Sequence, residues 1–211
     1  MWAEAERVLA ASDPVMTTII ARAGPCGLVP QTLRTPFEAL VRAVAHQQLH
    51  GRAAETILGR FIALFPGRKF PRPEDLAAVS DDALRAAGMS RAKTAAIRDL
   101  AAKALDGTVP GPRVIVRLAD DDIIQRLVQV RGVGRWTVEM MLIFKLGRPD
   151  ILPVDDFGVR NGYRLAYGLP ASPKPRDLAV IGERWKPWRS VATWYLYRAS
   201  EWGGREQTVG S

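Results

Sequence analysis

The sequence contains a pair of acids, Asp155 and Asp156, directly after the turn-forming stretch Leu152-Pro153-Val154. A helix is predicted to begin at the pair, and one carboxylate could cap it by accepting hydrogen bonds from free amides of the first turn. Capping requires only one acid, which leaves Asp156 without an assigned task.

A glycine-rich turn, Gly132-Val133-Gly134, precedes the acids by about twenty residues. One predicted helix ends near Val128 and the next starts at about Arg135. Glycine permits φ > 0 and a close approach of the backbone to a bulky ligand. The amides at the start of the second helix lie at the positive end of its dipole, so the pattern predicts a phosphate-binding turn. An ordinary turn between two helices is the alternative.

Composition limits the classes of protein that can hold these groups. The chain has 211 residues, 47% of them apolar, which suits one compact domain or two small lobes. Its net charge of +8 fits an anionic polymer such as nucleic acid, although ordinary solubilising charge is an alternative. A single cysteine, Cys26, excludes internal disulfides and any cysteine-built zinc or iron–sulfur site.

The distribution of charges also bears on location. No apolar run reaches the roughly 18–20 residues that a membrane span needs. The N-terminus carries acids where a signal peptide would carry basic and then apolar residues. We therefore expect a cytoplasmic protein with no membrane partner.

Hydrophobic spacing predicts an all-α fold of about ten helices separated by proline and glycine. Early helices are expected at 2–11 and 14–22, the second capped by Asp13, and another opens at Thr35-Pro36. Residues 114–116 form the clearest short strand candidate. Such connections suit a single two-lobed helical bundle over 1–211 with an active-site cleft between the lobes. We expect a central lobe at about 37–147 and a second lobe from the N-terminal helices plus about 148–211.

The hairpin followed by Pro-x-Asp-Asp resembles the helix-hairpin-helix (HhH-GPD) DNA glycosylase superfamily. Other motifs resemble its AlkA-like branch, the 3-methyladenine DNA glycosylase II enzymes, and the similarity extends from about Pro36 to Trp202. These motifs are Arg135-Trp136-Thr137, the run Arg184-Trp185-Lys186-Pro187-Trp188-Arg189-Ser190, Ala45-His46-Gln47-Gln48-Leu49-His50, Gly88-Met89 and Lys93.

The sequence departs from the family pattern at two points. Bacterial members often carry an extra N-terminal β-rich domain, for which this chain is too short. In bifunctional relatives a lysine two residues after the second hairpin glycine attacks the sugar and leads to strand cleavage. Trp136 occupies that position here, so the resemblance implies a monofunctional enzyme that leaves an abasic site.

The resemblance implies a base-excision repair enzyme that hydrolyses the N-glycosidic bond of alkylated, cationic purines such as 3-methyladenine. Asp156 is then the essential carboxylate, which stabilises the oxocarbenium-like sugar and orients or deprotonates the attacking water. Asp155 is expected to cap the helix or to support its neighbour. Electron-rich side chains are expected to stack on the cationic base. The candidates for this base pocket are Trp136, Phe157, Trp194, Tyr197 and Met140, with core packing as the alternative for each aromatic.

Two of the pocket candidates differ from the usual family residue. Tyr197 stands where the family commonly has tryptophan, and Met140 where an aromatic can occur. Trp185 and Trp188, by contrast, are expected to be structural.

The resemblance also assigns DNA-binding residues. Gln48 matches the wedge that fills the gap left by the extruded base, with Leu49 and His50 beside it. The hairpin is expected to bind phosphate, and basic side chains outside it are further phosphate candidates. The hairpin residues are Gly132, Val133, Gly134, Arg135 and Thr137, and the basic candidates are Lys93, Arg91 and Arg189.

The expected partner is double-stranded DNA containing alkylated bases, bound by a monomer. No cofactor is expected to be required. The resemblance adds a structural monovalent cation, Na+ or K+, held at the hairpin by backbone carbonyls of Val128, Val130 and Val133.

Two rival functions remain open. A non-enzymatic helix-hairpin-helix protein for damage sensing or architecture would keep the hairpin without needing Asp156. A glycosylase for deaminated or oxidised bases would act on neutral bases. Recognition of such bases requires more specific polar contacts than the aromatic candidates for the base pocket offer.

Overall fold

A computed structural model of the chain describes residues 1–31, 34–49 and 51–208, and for 203–208 the backbone alone. Within these residues the regular structure is entirely helical, as predicted. The chain divides into two compact units. We call residues 31–141 the central unit, and residues 1–30 together with 142–211 the terminal unit.

The central unit contains seven α-helices and one 3-10 helix in its described part. Its helices begin where the sequence supplies caps: the side chains of Thr35, Ser80 and Ser90 each accept a hydrogen bond from a first-turn amide. The helices are α3 Pro36–His46, α4 Gly51–Ala63, the 3-10 helix Pro73–Ala78, α5 Asp81–Ala86, α6 Arg91–Leu105, α7 Pro112–Ile115, α8 Asp120–Leu127 and α9 Arg135–Met141, numbered after α1 and α2 of the terminal unit.

The terminal unit is built from both ends of the chain. Its helices are α1 Ala3–Ser12, α2 Pro14–Ala23, a π-helical turn Leu142–Leu146, α10 Phe157–Ala166, α11 Pro175–Ile181, the 3-10 helix Gly182–Trp185 and α12 Arg189–Thr208. Asp13 is buried at its centre, where it caps α2 and accepts hydrogen bonds from Tyr167 and Trp185. The structural prediction for Trp185 is confirmed, since its side chain is fully buried.

Two glycines on one face of α10, Gly158 and Gly162, allow α12 to approach closely. A Cβ added at Gly162 would overlap the backbone carbonyl oxygen of Leu196, and one at Gly158 would lie 2.9 Å from the Tyr197 ring. Glycines four residues apart in a helix share a face. This pair therefore fixes how near α12 lies to the beginning of α10.

One predicted element is wrong. Residues 114–116 form no strand: Pro112 occupies the first turn of α7, which runs through Ile115. The helix predicted to start at about Arg135 is present: it is α-helical to Met141 and continues as a π-helical turn. No described helix has the length and apolar character to cross a membrane.

Candidate active site

Asp156 caps the N-terminus of α10 in the terminal unit. Its Oδ1 accepts a hydrogen bond from the Val159 amide at 2.8 Å, and its Oδ2 accepts one from the Tyr197 hydroxyl at 2.9 Å. The side chain is 8% exposed. The expectation that Asp155 caps this helix is wrong: Asp155 is exposed and α10 begins after Asp156. The same carboxylate therefore performs the capping and is also the candidate for catalysis.

The surroundings of Asp156 suit a negative charge. The α10 dipole presents its positive end to the carboxylate, and each carboxylate oxygen accepts a hydrogen bond. Each oxygen can accept more than one hydrogen bond. The two hydrogen bonds thus orient the carboxylate within the protein.

The three predicted pocket aromatics of the terminal unit differ in their surroundings. Phe157 follows Asp156 and is 76% exposed. Tyr197 contacts Asp156, and its ring centroid lies 6.5 Å from that of Phe144. Trp194 packs edge-on against Tyr195, and the Arg198 guanidinium lies 5.2 Å from its ring centroid. The contacts of Trp194 agree with the core-packing alternative, and those of Phe157 leave its ring accessible.

The remaining pocket candidates belong to α9 of the central unit. Trp136 and Met140 are four residues apart and share a helix face. Trp136 is 49% exposed, whereas Met140 is half-buried. An exposed tryptophan in the first turn of a helix offers an aromatic surface for stacking.

The hairpin has the predicted form, and one of its two glycines lies in the left-handed region. Gly132 has φ 75°, whereas Gly134 is not in the left-handed region and open space surrounds its Cβ position. The Val133 amide donates to the Val130 carbonyl at 3.0 Å, and the Thr137 side chain is buried. Exposed backbone at Gly134 is therefore the part of the turn best placed to meet a phosphate.

Side chains from α6 and α9 support the hairpin. Asp99 on α6 accepts a hydrogen bond from the Arg131 amide at 2.7 Å and pairs with Lys103. Partial burial acts to raise the pKa of Asp99, but the hydrogen bonds from Lys103 and Arg131 outweigh it and hold the pKa below its usual range. Arg135 pairs with the buried Glu139 at 2.9 Å.

The predicted wedge lies in the loop between α3 and α4. Gln48 is exposed and has φ 57°, an unusual conformation for a residue other than glycine. Leu49 is 39% exposed. His50 lies outside the described residues. The Gln47 side chain donates to the Gly132 carbonyl at 2.8 Å, so this loop is bound directly to the hairpin.

Two basic side chains predicted to contact phosphate have partners inside the protein. The ammonium of Lys93 donates to the Ala45 carbonyl at 2.8 Å, and its partial burial lowers its pKa. Arg189 forms hydrogen bonds with both carboxylate oxygens of Asp150, at 2.7 and 3.0 Å. These contacts indicate structural roles, and Arg91 remains an exposed candidate.

The carbonyls predicted to hold a monovalent cation lie in the hairpin. The Val130 carbonyl accepts the Val133 amide, and a carbonyl has a second lone pair for a cation. The cation site stays a prediction. Among the side chains that the structure describes, no group of three or more His, Cys, Asp or Glu residues could hold a metal.

Neither Gln47 nor Asp99 was assigned a contact from the sequence, and the hydrogen bond of the Tyr197 hydroxyl was not anticipated. Gln47 was visible only as part of a motif, and no motif contained Asp99. Each contact joins residues more than thirty positions apart. Local spacing cannot reveal such pairs.

The profile of the HhH-GPD superfamily of base excision DNA repair proteins matches residues 41–189, and the chain belongs to this superfamily. It is 40% identical over 168 residues to DNA-3-methyladenine glycosylase 1 of Schizosaccharomyces pombe, covering 80% of this chain and 74% of that protein.

Two solved structures are also similar. An S. pombe 3-methyladenine DNA glycosylase in complex with abasic DNA matches with a TM-score of 0.82 at 36% identity, covering 94% of this chain and 97% of the other. A DNA-3-methyladenine glycosidase from Bacillus halodurans matches with a TM-score of 0.86 at 33% identity, covering 97% and 92%.

Proposed function

We propose that this protein is a monofunctional DNA glycosylase that removes alkylated, cationic purines such as 3-methyladenine from double-stranded DNA. The observation that carries the proposal is Asp156, a nearly buried carboxylate held at a helix N-terminus by two hydrogen bonds. Membership of a base excision repair family and relatives named 3-methyladenine glycosylases support the same reaction.

The chemistry follows from charge. Alkylation at N3 or N7 places a positive charge on the purine, which makes it a good leaving group without protonation. As the base departs, the sugar develops oxocarbenium character, and the Asp156 carboxylate stabilises it. Asp156 also orients or deprotonates the attacking water, so the products are a free base and an abasic site.

The DNA-binding roles are assigned to the central unit. Gln48 is the proposed wedge, because its side chain is exposed at a loop that Gln47 holds against the hairpin. The backbone at Gly134 is the proposed phosphate contact, and exposed Trp136 a proposed stacking surface for the extruded base. We further propose that the protein acts as a monomer in the cytoplasm of a bacterial cell, associated with the nucleoid.

The proposal is tested by incubating the protein with duplexes that each carry one damaged base and identifying released bases by mass spectrometry. We expect release of alkylated purines, an abasic product cleaved only after alkali, and no covalent adduct on borohydride treatment, because Trp136 replaces the attacking lysine. Binding without release of any base would favour a damage-sensing protein, and release of deaminated or oxidised bases alone would contradict the alkylation assignment.

The hairpin assignment leads to a separate prediction. Gly134→Asp is expected to weaken binding to any DNA sequence by about 1–3 kcal/mol, because it adds a negative charge where backbone meets phosphate. The space around Gly134 admits a side chain, so the fold should persist. Fluorescence anisotropy with undamaged duplex measures the loss, and Gly134→Asn is the uncharged control. An unchanged dissociation constant for both variants would remove the hairpin from the interface.

A further inference from the structure

We propose that Tyr197 is a positioning residue for the catalytic carboxylate, acting through its hydroxyl and not only as an aromatic surface. The inference rests on the proposed function of Asp156. The Tyr197 hydroxyl donates to Oδ2 of Asp156 at 2.9 Å, while the Val159 amide donates to Oδ1 at 2.8 Å.

The two donors bind different oxygens of the Asp156 carboxylate. The Val159 amide binds Oδ1 and, through the backbone, opposes rotation of the carboxylate about its Cβ–Cγ bond. The Tyr197 hydroxyl binds Oδ2 and opposes the same rotation from a second helix. A carboxylate held in one orientation presents its charge at one place, and positioning of this kind is a substantial part of a catalytic rate.

Helix packing explains why the hydroxyl arrives at this point. Tyr197 lies on α12, and its Cε1 would be 2.9 Å from a Cβ at residue 158. Gly158 has no Cβ, so the ring lies directly against the first turn of α10, beside the residue that caps it. Gly162, one turn later, allows the backbones of the two helices to approach. The distance between hydroxyl and carboxylate is therefore set by two helices in close contact.

The same helix supplies a matched control. Tyr195 lies two residues before Tyr197, and its hydroxyl contacts Glu6 and the Gly24 carbonyl, each at 3.1 Å. These bonds join α12 to the N-terminal segment and leave Asp156 untouched. Tyr195→Phe and Tyr197→Phe thus remove the same atom from the same helix, one from a structural contact and one from the carboxylate.

The first experiment measures single-turnover release of 3-methyladenine from methylated duplex DNA over a range of protein concentrations. Tyr197→Phe should lower the maximal rate about tenfold, equivalent to about 1.4 kcal/mol, and leave the half-saturating concentration within about twofold. Tyr195→Phe should melt at a lower temperature and retain the maximal rate. A Tyr197→Phe rate within about twofold of wild type would overturn the proposal.

A second comparison separates positioning from stacking. Tyr197→Phe keeps the ring, so in an Asp156→Asn background it should cause little further loss of the residual rate. A full additional loss in that background would overturn the proposal, because the hydroxyl would then act independently of the carboxylate.

Crystal structures of wild type and Tyr197→Phe give a readout that does not depend on activity. We expect the Asp156 carboxylate to be rotated or in more than one conformation in the variant, and an unchanged carboxylate would overturn the proposal. If the wild-type protein releases no base, the proposed function fails, yet this comparison still reports whether Tyr197 orients Asp156.

Discussion

Asp156→Asn is expected to reduce release of alkylated purines about 100- to 1,000-fold while DNA binding stays unchanged or becomes tighter. The neutral amide cannot stabilise positive charge on the sugar. Asparagine is as good an N-cap as aspartate, so the bond from the Val159 amide can survive and the fold should be retained. Single-turnover kinetics and anisotropy measure the two effects separately.

Asp155→Asn is the matched control, since it removes the same charge from the neighbouring exposed residue. We expect its rate to stay near that of wild type. An active Asp156→Asn enzyme would show that the carboxylate serves only the helix cap. Loss of activity in the Asp155 variant alone would move the catalytic assignment by one residue.

Gly162→Ala is expected to destabilise the protein by about 3 kcal/mol or more, lowering Tm by roughly 6–12 °C. The added methyl overlaps the backbone carbonyl oxygen of Leu196, and neither main chain can move without separating α10 from α12. The higher helix propensity of alanine offsets at most about 1 kcal/mol. Thermal unfolding followed by circular dichroism measures the loss.

Gly59→Ala on α4 is the control for this change. Space around Gly59 is open, and the substitution should be neutral or stabilise the helix by about 0.5–1 kcal/mol. If Gly162→Ala melts with wild type, the close approach of α10 and α12 does not contribute to stability as the structure indicates.

Much of the fold was predictable because helix boundaries depend on residues that are close to them in the sequence. Asp13 and Thr35 cap the helices that they were expected to begin, and Ser80 and Ser90 cap α5 and α6 in the same way. The strand predicted at 114–116 is wrong. Its three residues favour a strand only weakly, and Pro112 begins a helical turn that includes the first two of them. The family was recognisable from separated motifs, and the superfamily match confirms it.

The candidate site was predictable as residue types but not as contacts. Spacing identified the acid pair, yet it assigned the cap to Asp155 because either acid could serve and only the backbone path decides. Lys93 and Arg189 were expected at phosphate because charge alone does not reveal an internal acceptor. The hydroxyl of Tyr197 reaches Asp156 through a helix crossing that no local pattern records.

The hairpin turn is held from both sides of its backbone, by Asp99 at the Arg131 amide and by Gln47 at the Gly132 carbonyl. A turn ordered during folding loses little conformational entropy when a ligand binds to it. Nonspecific association with DNA should therefore carry little entropic penalty from ordering the turn. Its free energy should come mainly from the release of counterions, which makes binding strongly dependent on salt concentration. If the hydrogen bond from Asp99 or from Gln47 is removed, the turn would lose its conformational entropy when DNA binds and not when the protein folds.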